Sequence, residues 1–225
     1  MILRQLQELI GGIYDVSVTH DVYDFLVTSR DHLPECVRDS SSDEELIVAQ
    51  EHDAVGVSLY LDPALLERLG KSSPLVCLNE SNVADYWTAL EGVSHFLYFA
   101  WNAGHDKPVT LLELELQAEI DKYVASYLLL KRQFPERFPT ELLHVLFERT
   151  HIDSRLARGR ENLYRAATRH AEKFCRRLAC SLKQSRAAPE RREEMENGVL
   201  AELRRFYRLT DARKVEHIER LAAAV

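Results

Sequence analysis

From Asn79 onward the apolar residues take a helical spacing and keep it to the end of the chain. That feature commits most of the molecule to packed helices. Local signals punctuate the run. Asn82 with Asp85 starts a helix through Trp101 or Asn102, with Gly104 just past its end. Thr110-Leu111-Leu112-Glu113 has the form of a capping box and opens a helix to about Arg132. Pro139-Thr140 starts a shorter helix ending near His151, and Asp153-Ser154 caps a long one to about Gln184. Residues 189–209 and 210–223 follow as two more.

The first eighty residues read differently. Apolar residues at 2, 3, 6, 9 and 10 form a helix that stops at Gly11-Gly12, and the segment Ile13–Val18 alternates as a strand does. Tyr23–Thr28 reads as a strand or a helix end. Ser29–Glu44, with Pro34 and three successive serines, reads as loop. Leu46–Gln50 and Val55–Tyr60 flank Glu51-His52-Asp53 as a β-hairpin, and Asp62-Pro63 opens a helix closed by Gly70. The expected fold is mainly α: a C-terminal bundle of five or six helices with a small N-terminal α+β unit containing a β-hairpin. The boundary falls at residues 1–80 and 81–225, as two units or one continuous domain.

Composition narrows the function classes. The 225 residues suffice for a sizeable core, and four separate cysteines are too few for a disulfide scaffold. Cys175 and Cys180, five apart on one helix, fit neither a redox nor a zinc motif and read as reduced core or boundary residues. No run of apolar residues is long enough for a transmembrane span, and Arg4, Gln5, Gln7 and Glu8 come too early for a signal-peptide core. A cytoplasmic location is the expectation. Phosphate-binding glycine loops, His-Glu-x-x-His and Gly-x-Ser-x-Gly are all missing.

Charge is unevenly distributed: −12 over residues 1–100, −2 over 101–150 and +7 over 151–225. The basic C-terminal helices carry Arg204, Arg205, Arg208, Arg213 and Lys214 with Phe206 and Tyr207 among them, a composition that protein interfaces favour. The leading expectation is therefore a helical adaptor or regulatory protein. It would bind an acidic protein surface or a second copy of itself through those seven residues, with no membrane partner. Nucleic-acid binding is a further alternative, set against acidic residues that break the basic run.

An enzyme or metal protein is the competing class. On the helix over 83–102, Glu91 and His95 lie opposite an apolar arc, where solvent exposure accounts for them. On the helix over 110–132, one polar stripe holds Glu115, Glu119, Lys122 and Ser126, and another holds Glu113, Gln117 and Asp121. Packing on both flanks buries one stripe in part, and Lys122 stands i+3 from Glu119 as an internal partner. Convergence of Glu91, His95, Glu115 and Glu119 would make a metal or acid/base site. On the helix over 139–151, His144, Glu148 and His151 share a face, and Glu148-x-x-His151 has the spacing of di-iron carboxylate bundles without the second motif such bundles need. A divalent metal is compatible with either set, but no cofactor is implied.

Overall fold

In the computed structural model, which describes residues 1–51, 54–147 and 158–223, the glycine pair at 11 and 12 does not end the first helix. Helix α1 (Ile2–Tyr14) runs on because Ile13 and Tyr14 continue the buried stripe of Leu3, Leu6 and Ile10. Burying each of those two side chains stabilises by about 1.5–3 kcal/mol, more than the ~1 kcal/mol a helical glycine costs. The strand expected at 13–18 is thus helix end and loop. Asp15 turns the chain with φ 52°, and the amide of Val16 donates to the Gly11 carbonyl at 3.0 Å. A β-carbon on Gly11 would lie 2.9 Å from the Val16 carbonyl oxygen, so this close turn requires glycine.

Strand β1 (Leu26–Val27) follows a short 3-10 turn, and the four-residue helix α2 (Glu35–Arg38) interrupts the loop after it. The hairpin forms as its alternation suggests, with β2 (Glu44–Glu51) antiparallel to β3 (Ala54–Leu61). β1 pairs in parallel with β3, giving the sheet order β1-β3-β2. Asp62 caps α3 (Pro63–Lys71) by accepting from the amides of Ala64 and Leu65.

Two antiparallel helices form the centre, α4 (Val83–Ala103) and α5 (Leu111–Gln133). The capping box at the start of α5 is complete: the Glu113 amide donates to Thr110 Oγ1 at 3.2 Å, and the Thr110 amide donates to Glu113 Oε2 at 2.8 Å. Side chains bridge the pair in antiparallel order, Trp87 to Ser126, Ser94 to Asp121 and Tyr98 to Glu113. Around them pack α6 (Leu142–Phe147), α7 (Arg158–Ala187), α8 (Arg192–Tyr207) and α9 (Asp211–Ala223).

Solvent does not account for the polar side of α4. His95, Tyr98 and Asn102 are buried, because the root of the hairpin and Tyr207 of α8 cover that side. The described chain is mainly α with a small N-terminal α+β unit, and one apolar cluster runs from Leu3 to Ile218 across both. Tyr14 stacks on Tyr207 at 4.3 Å between ring centroids, tying α1 to α8. No described helix is long and apolar enough to cross a membrane.

At Gly92 of α4 an added β-carbon would stand 2.9 Å from both Glu44 Cγ and Leu59 Cδ1, so the hairpin rests directly on helix backbone. At Gly12 it would meet only open space. In urea denaturation, Gly92→Ala is therefore expected to destabilise, since overpacking of about 1–3 kcal/mol exceeds the helix-propensity gain. Gly12→Ala is expected to stabilise by about 0.4–1 kcal/mol.

Candidate metal centre

Three elements bring the charged residues together. Glu44 opens β2, Glu91 and His95 lie one turn apart on α4, and Glu115, Glu119 and Lys122 project from α5. The bare Gly92 backbone lets β2 approach closely enough for Glu44 to reach His95. Glu44 Oε1 is 3.3 Å from His95 Nδ1, and Glu115 Oε1 is 3.8 Å from His95 Nε2. Lys122 Nζ lies 2.6 Å from Glu91 Oε2 and 3.0 Å from Glu119 Oε1. Glu44, Glu91 and His95 each place one potential ligand atom within 4.8 Å of the others.

Charge in this junction does not balance. Four carboxylates face one imidazole and one ammonium, and every member except Glu91 has less than a fifth of its side chain exposed. Burial pushes the Glu115 carboxyl up to about 7 against the pull of His95, and raises Glu44 as well. Burial alone would lower His95, but Glu115, Glu44 and Glu91 outweigh it and raise the imidazole to about 10. Burial would also raise Glu91, yet Lys122 and His95 hold it below the usual carboxylate range. His95 Nε2 is enclosed and makes no hydrogen bond.

A second buried network lies further along the same helices. Asp121 accepts from Tyr14 OH, from Ser94 Oγ at 2.5 Å and from Gln117 Nε2 at 2.9 Å. Gln117 Oε1 in turn accepts from Lys214 Nζ at 2.7 Å. Lys214 is fully buried, its ammonium 4.6 Å from the Tyr98 ring centroid and 4.7 Å from that of Phe206. Burial drives Lys214 down to about 7, with Glu113, Asp121 and Asp211 opposing, and lifts Asp121 to about 6 despite its three donors.

The residues singled out from sequence divide accordingly. Glu91, His95, Glu115 and Glu119 meet at the α4/α5 junction, and Lys122 pairs with Glu119 as its spacing suggested. Glu44 is not among the residues the sequence marks, since a glutamate at a loop–strand boundary carries no local signal. His144 is exposed on α6, and Glu148 and His151 lie outside the described residues.

The seven C-terminal residues do not share one exposed face. Phe206, Tyr207 and Lys214 are interior, because α8 and α9 turn their aromatic side onto α4 and α7. Arg204 and Arg208 are held by the end of α1: Arg204 Nε donates to the Ile13 carbonyl, and Arg208 donates to those of Tyr14 and Asp15. They serve as cations at a helix C-terminus. Arg205 and Arg213 remain exposed. Arg165, Lys173 and Arg176 of α7 and Arg192 of α8 already pair with glutamates of the chain.

Two sizeable cavities lie away from the charged cluster. One of about 520 Å³ runs between α1 and residues 15–21, and one of about 340 Å³ opens beside Trp87, Phe134 and Leu142. Neither is lined by a cluster residue. Compared with known proteins, the chain matches no family model, no curated protein and no solved structure.

Lys214 makes a signed prediction. Its folded value of about 7 lies below the ordinary 10.5, so between those values the unfolded chain binds a proton that the folded chain does not. Its contribution to stability therefore improves as pH rises through that window, and the full penalty applies below it. The stability of Lys214→Met relative to the parent should fall as pH is raised from about 6 to about 10 in urea titrations. A pH-independent difference would contradict the burial of a titrating amine.

Proposed function

We propose that this chain is a divalent-cation-binding protein whose cation sits among Glu44, Glu91 and His95, where the root of the hairpin meets α4. The observation that carries the reading is the clustering of three potential ligand atoms within 4.8 Å at a buried junction where carboxylates outnumber cations. Uncompensated buried carboxylates are costly, and a divalent ion supplies the missing charge in one step. A cation about 2.0–2.2 Å from nitrogen and oxygen ligands sets neighbouring donors roughly 3.0–3.6 Å apart. The 3.3 Å between His95 Nδ1 and Glu44 Oε1 matches that spacing.

Surrounding groups fit the same role. With Nδ1 as ligand, His95 Nε2 faces Glu115, the arrangement in which a carboxylate orients a metal-bound imidazole. Glu91 gives one oxygen to Lys122 and has the other for the cation. Mixed carboxylate and imidazole donors favour Zn²⁺, Mn²⁺ or Fe²⁺ over Ca²⁺. Glu91 is the most exposed member of the junction and marks the entry side.

Calorimetric titration of metal-free full-length chain with Zn²⁺ and with Mn²⁺ tests the proposal. One ion per chain is expected to bind, with Glu44→Gln and His95→Gln each weakening it at least tenfold, about 1.4 kcal/mol. Circular dichroism checks that both variants fold. Because His95 holds its proton up to about pH 10, binding should release protons and the measured heat should depend on the buffer. No binding by the parent, or equal affinity in parent and folded variants, would overturn the reading.

A further inference from the structure

A third cavity, of about 280 Å³, opens between α7, α8 and α9. Only residues 188–191 separate α7 from α8, so the two helices run antiparallel. Phe174 stacks on Phe206 at 4.3 Å between ring centroids and fixes their register. Counted from that stack at about 1.5 Å of rise per residue, Arg177 of α7 and Glu202 of α8 stand within about 2 Å of the same level. Ser181 and Gly198 stand level one turn further on, and all four line the cavity. A β-carbon on Gly198 would meet nothing within 4 Å. A bare glycine level with a small serine thus leaves the space between the helices unfilled.

The rest of the lining is apolar: Phe174 and Leu178 are buried, while Met195, Val199 and Leu221 are half-buried. Two opposite charges complete it without meeting. Among the described residues Arg177 and Glu202 do not pair with each other, and the Arg177 guanidinium has no partner. Neighbouring charges behave otherwise, since Lys173 holds Glu219, Arg176 holds Glu172 and Arg192 holds Glu196. Glu202 is fixed in place from behind. Its Oε1 accepts from Nε2 of the buried His217, and Arg220 donates to His217 Nδ1 at 2.8 Å, which assigns the ring proton to Nε2. The second oxygen of Glu202 has no partner among the described residues and is left for a ligand.

We propose that this cavity binds a free α-amino acid with an apolar side chain, its carboxylate on Arg177 and its ammonium on Glu202. An anion alone would leave Glu202 without a counter-charge, and an amine alone would leave Arg177 without one. In an α-amino acid both charges share one carbon, so the molecule spans the groove at the single level where Arg177 and Glu202 stand. A guanidinium suits the carboxylate because it can donate two parallel hydrogen bonds. The side chain then runs along the groove into the room between Ser181 and Gly198, against Leu178 and Val199. Pockets for drug-sized ligands span about 300–1,000 Å³, so a cavity just below that range suits a smaller molecule. No lining residue belongs to the charged junction, and the site is independent of the cation proposed above.

Calorimetric titration of the full chain with L-leucine, L-methionine and L-phenylalanine tests the proposal. At least one is expected to bind, one molecule per chain. Taking leucine as the example, leucinamide lacks the carboxylate and 4-methylpentanoate lacks the ammonium, and each should bind at least tenfold more weakly. Arg177→Gln and Glu202→Gln should each weaken the amino acid at least tenfold, and glutamine at 202 still offers His217 an acceptor. Gly198→Leu fills the cavity where a side chain meets no neighbour, so it should keep the helical circular dichroism spectrum, gain helix propensity and abolish binding. Failure of all three amino acids to bind, equal affinity for either truncated analogue, or undiminished binding by folded Gly198→Leu would each overturn the proposal.

Discussion

Lys122 is buried between α4 and α5, and the arrangement of those helices depends on the two carboxylates that hold it, Glu91 and Glu119. A buried ammonium without partners would cost several kcal/mol. Lys122 therefore sets the register of the central pair: Glu91 must come within reach of Lys122, which also brings His95 to Glu115 and Ser94 to Asp121. Burial alone would weaken its charge, but Glu119 and Glu91 raise it above the ordinary lysine value instead.

Two core networks follow from that register and differ in sign. Around His95 the carboxylates exceed the cations, and the result is a demand for positive charge at the root of the hairpin. Around Lys214 the positive charge has no carboxylate in hydrogen-bond contact, only Gln117 and aromatic rings. Burial consequently raises Glu115 in the first network and lowers Lys214 in the second. The first invites a cation; the second favours a neutral amine. Because Glu44 belongs to β2, the first network also fixes the hairpin to the helical body.

Local chemistry was legible in the sequence wherever one element contained all of it. The Thr110–Glu113 box, the Asp62-Pro63 cap, the two hairpin runs and the Glu119–Lys122 pair needed no knowledge of distant neighbours. The polar side of α4 misled because its pattern is that of a half-exposed helix. Its cover comes from β2 and from α8, far away along the chain. For the same reason Glu44, 51 residues before His95, could not be placed among the candidate ligands. The basic C-terminal residues misled in the opposite sense, since Phe206, Tyr207 and Lys214 satisfy the interior while Arg204 and Arg208 cap α1. Continuing the apolar stripe of α1 past Gly12 likewise depends on distant partners, among them Tyr207 stacked on Tyr14.

At the junction of β2, α4 and α5, carboxylates outnumber cations, and a divalent cation is the proposed complement. Anomalous diffraction from crystals grown with Mn²⁺ tests it most directly. One strong peak is expected within bonding distance of Glu44, Glu91 and His95 Nδ1, with Lys122 still paired to Glu91 or Glu119. An empty junction beside well-ordered side chains, or manganese bound only elsewhere, would contradict it.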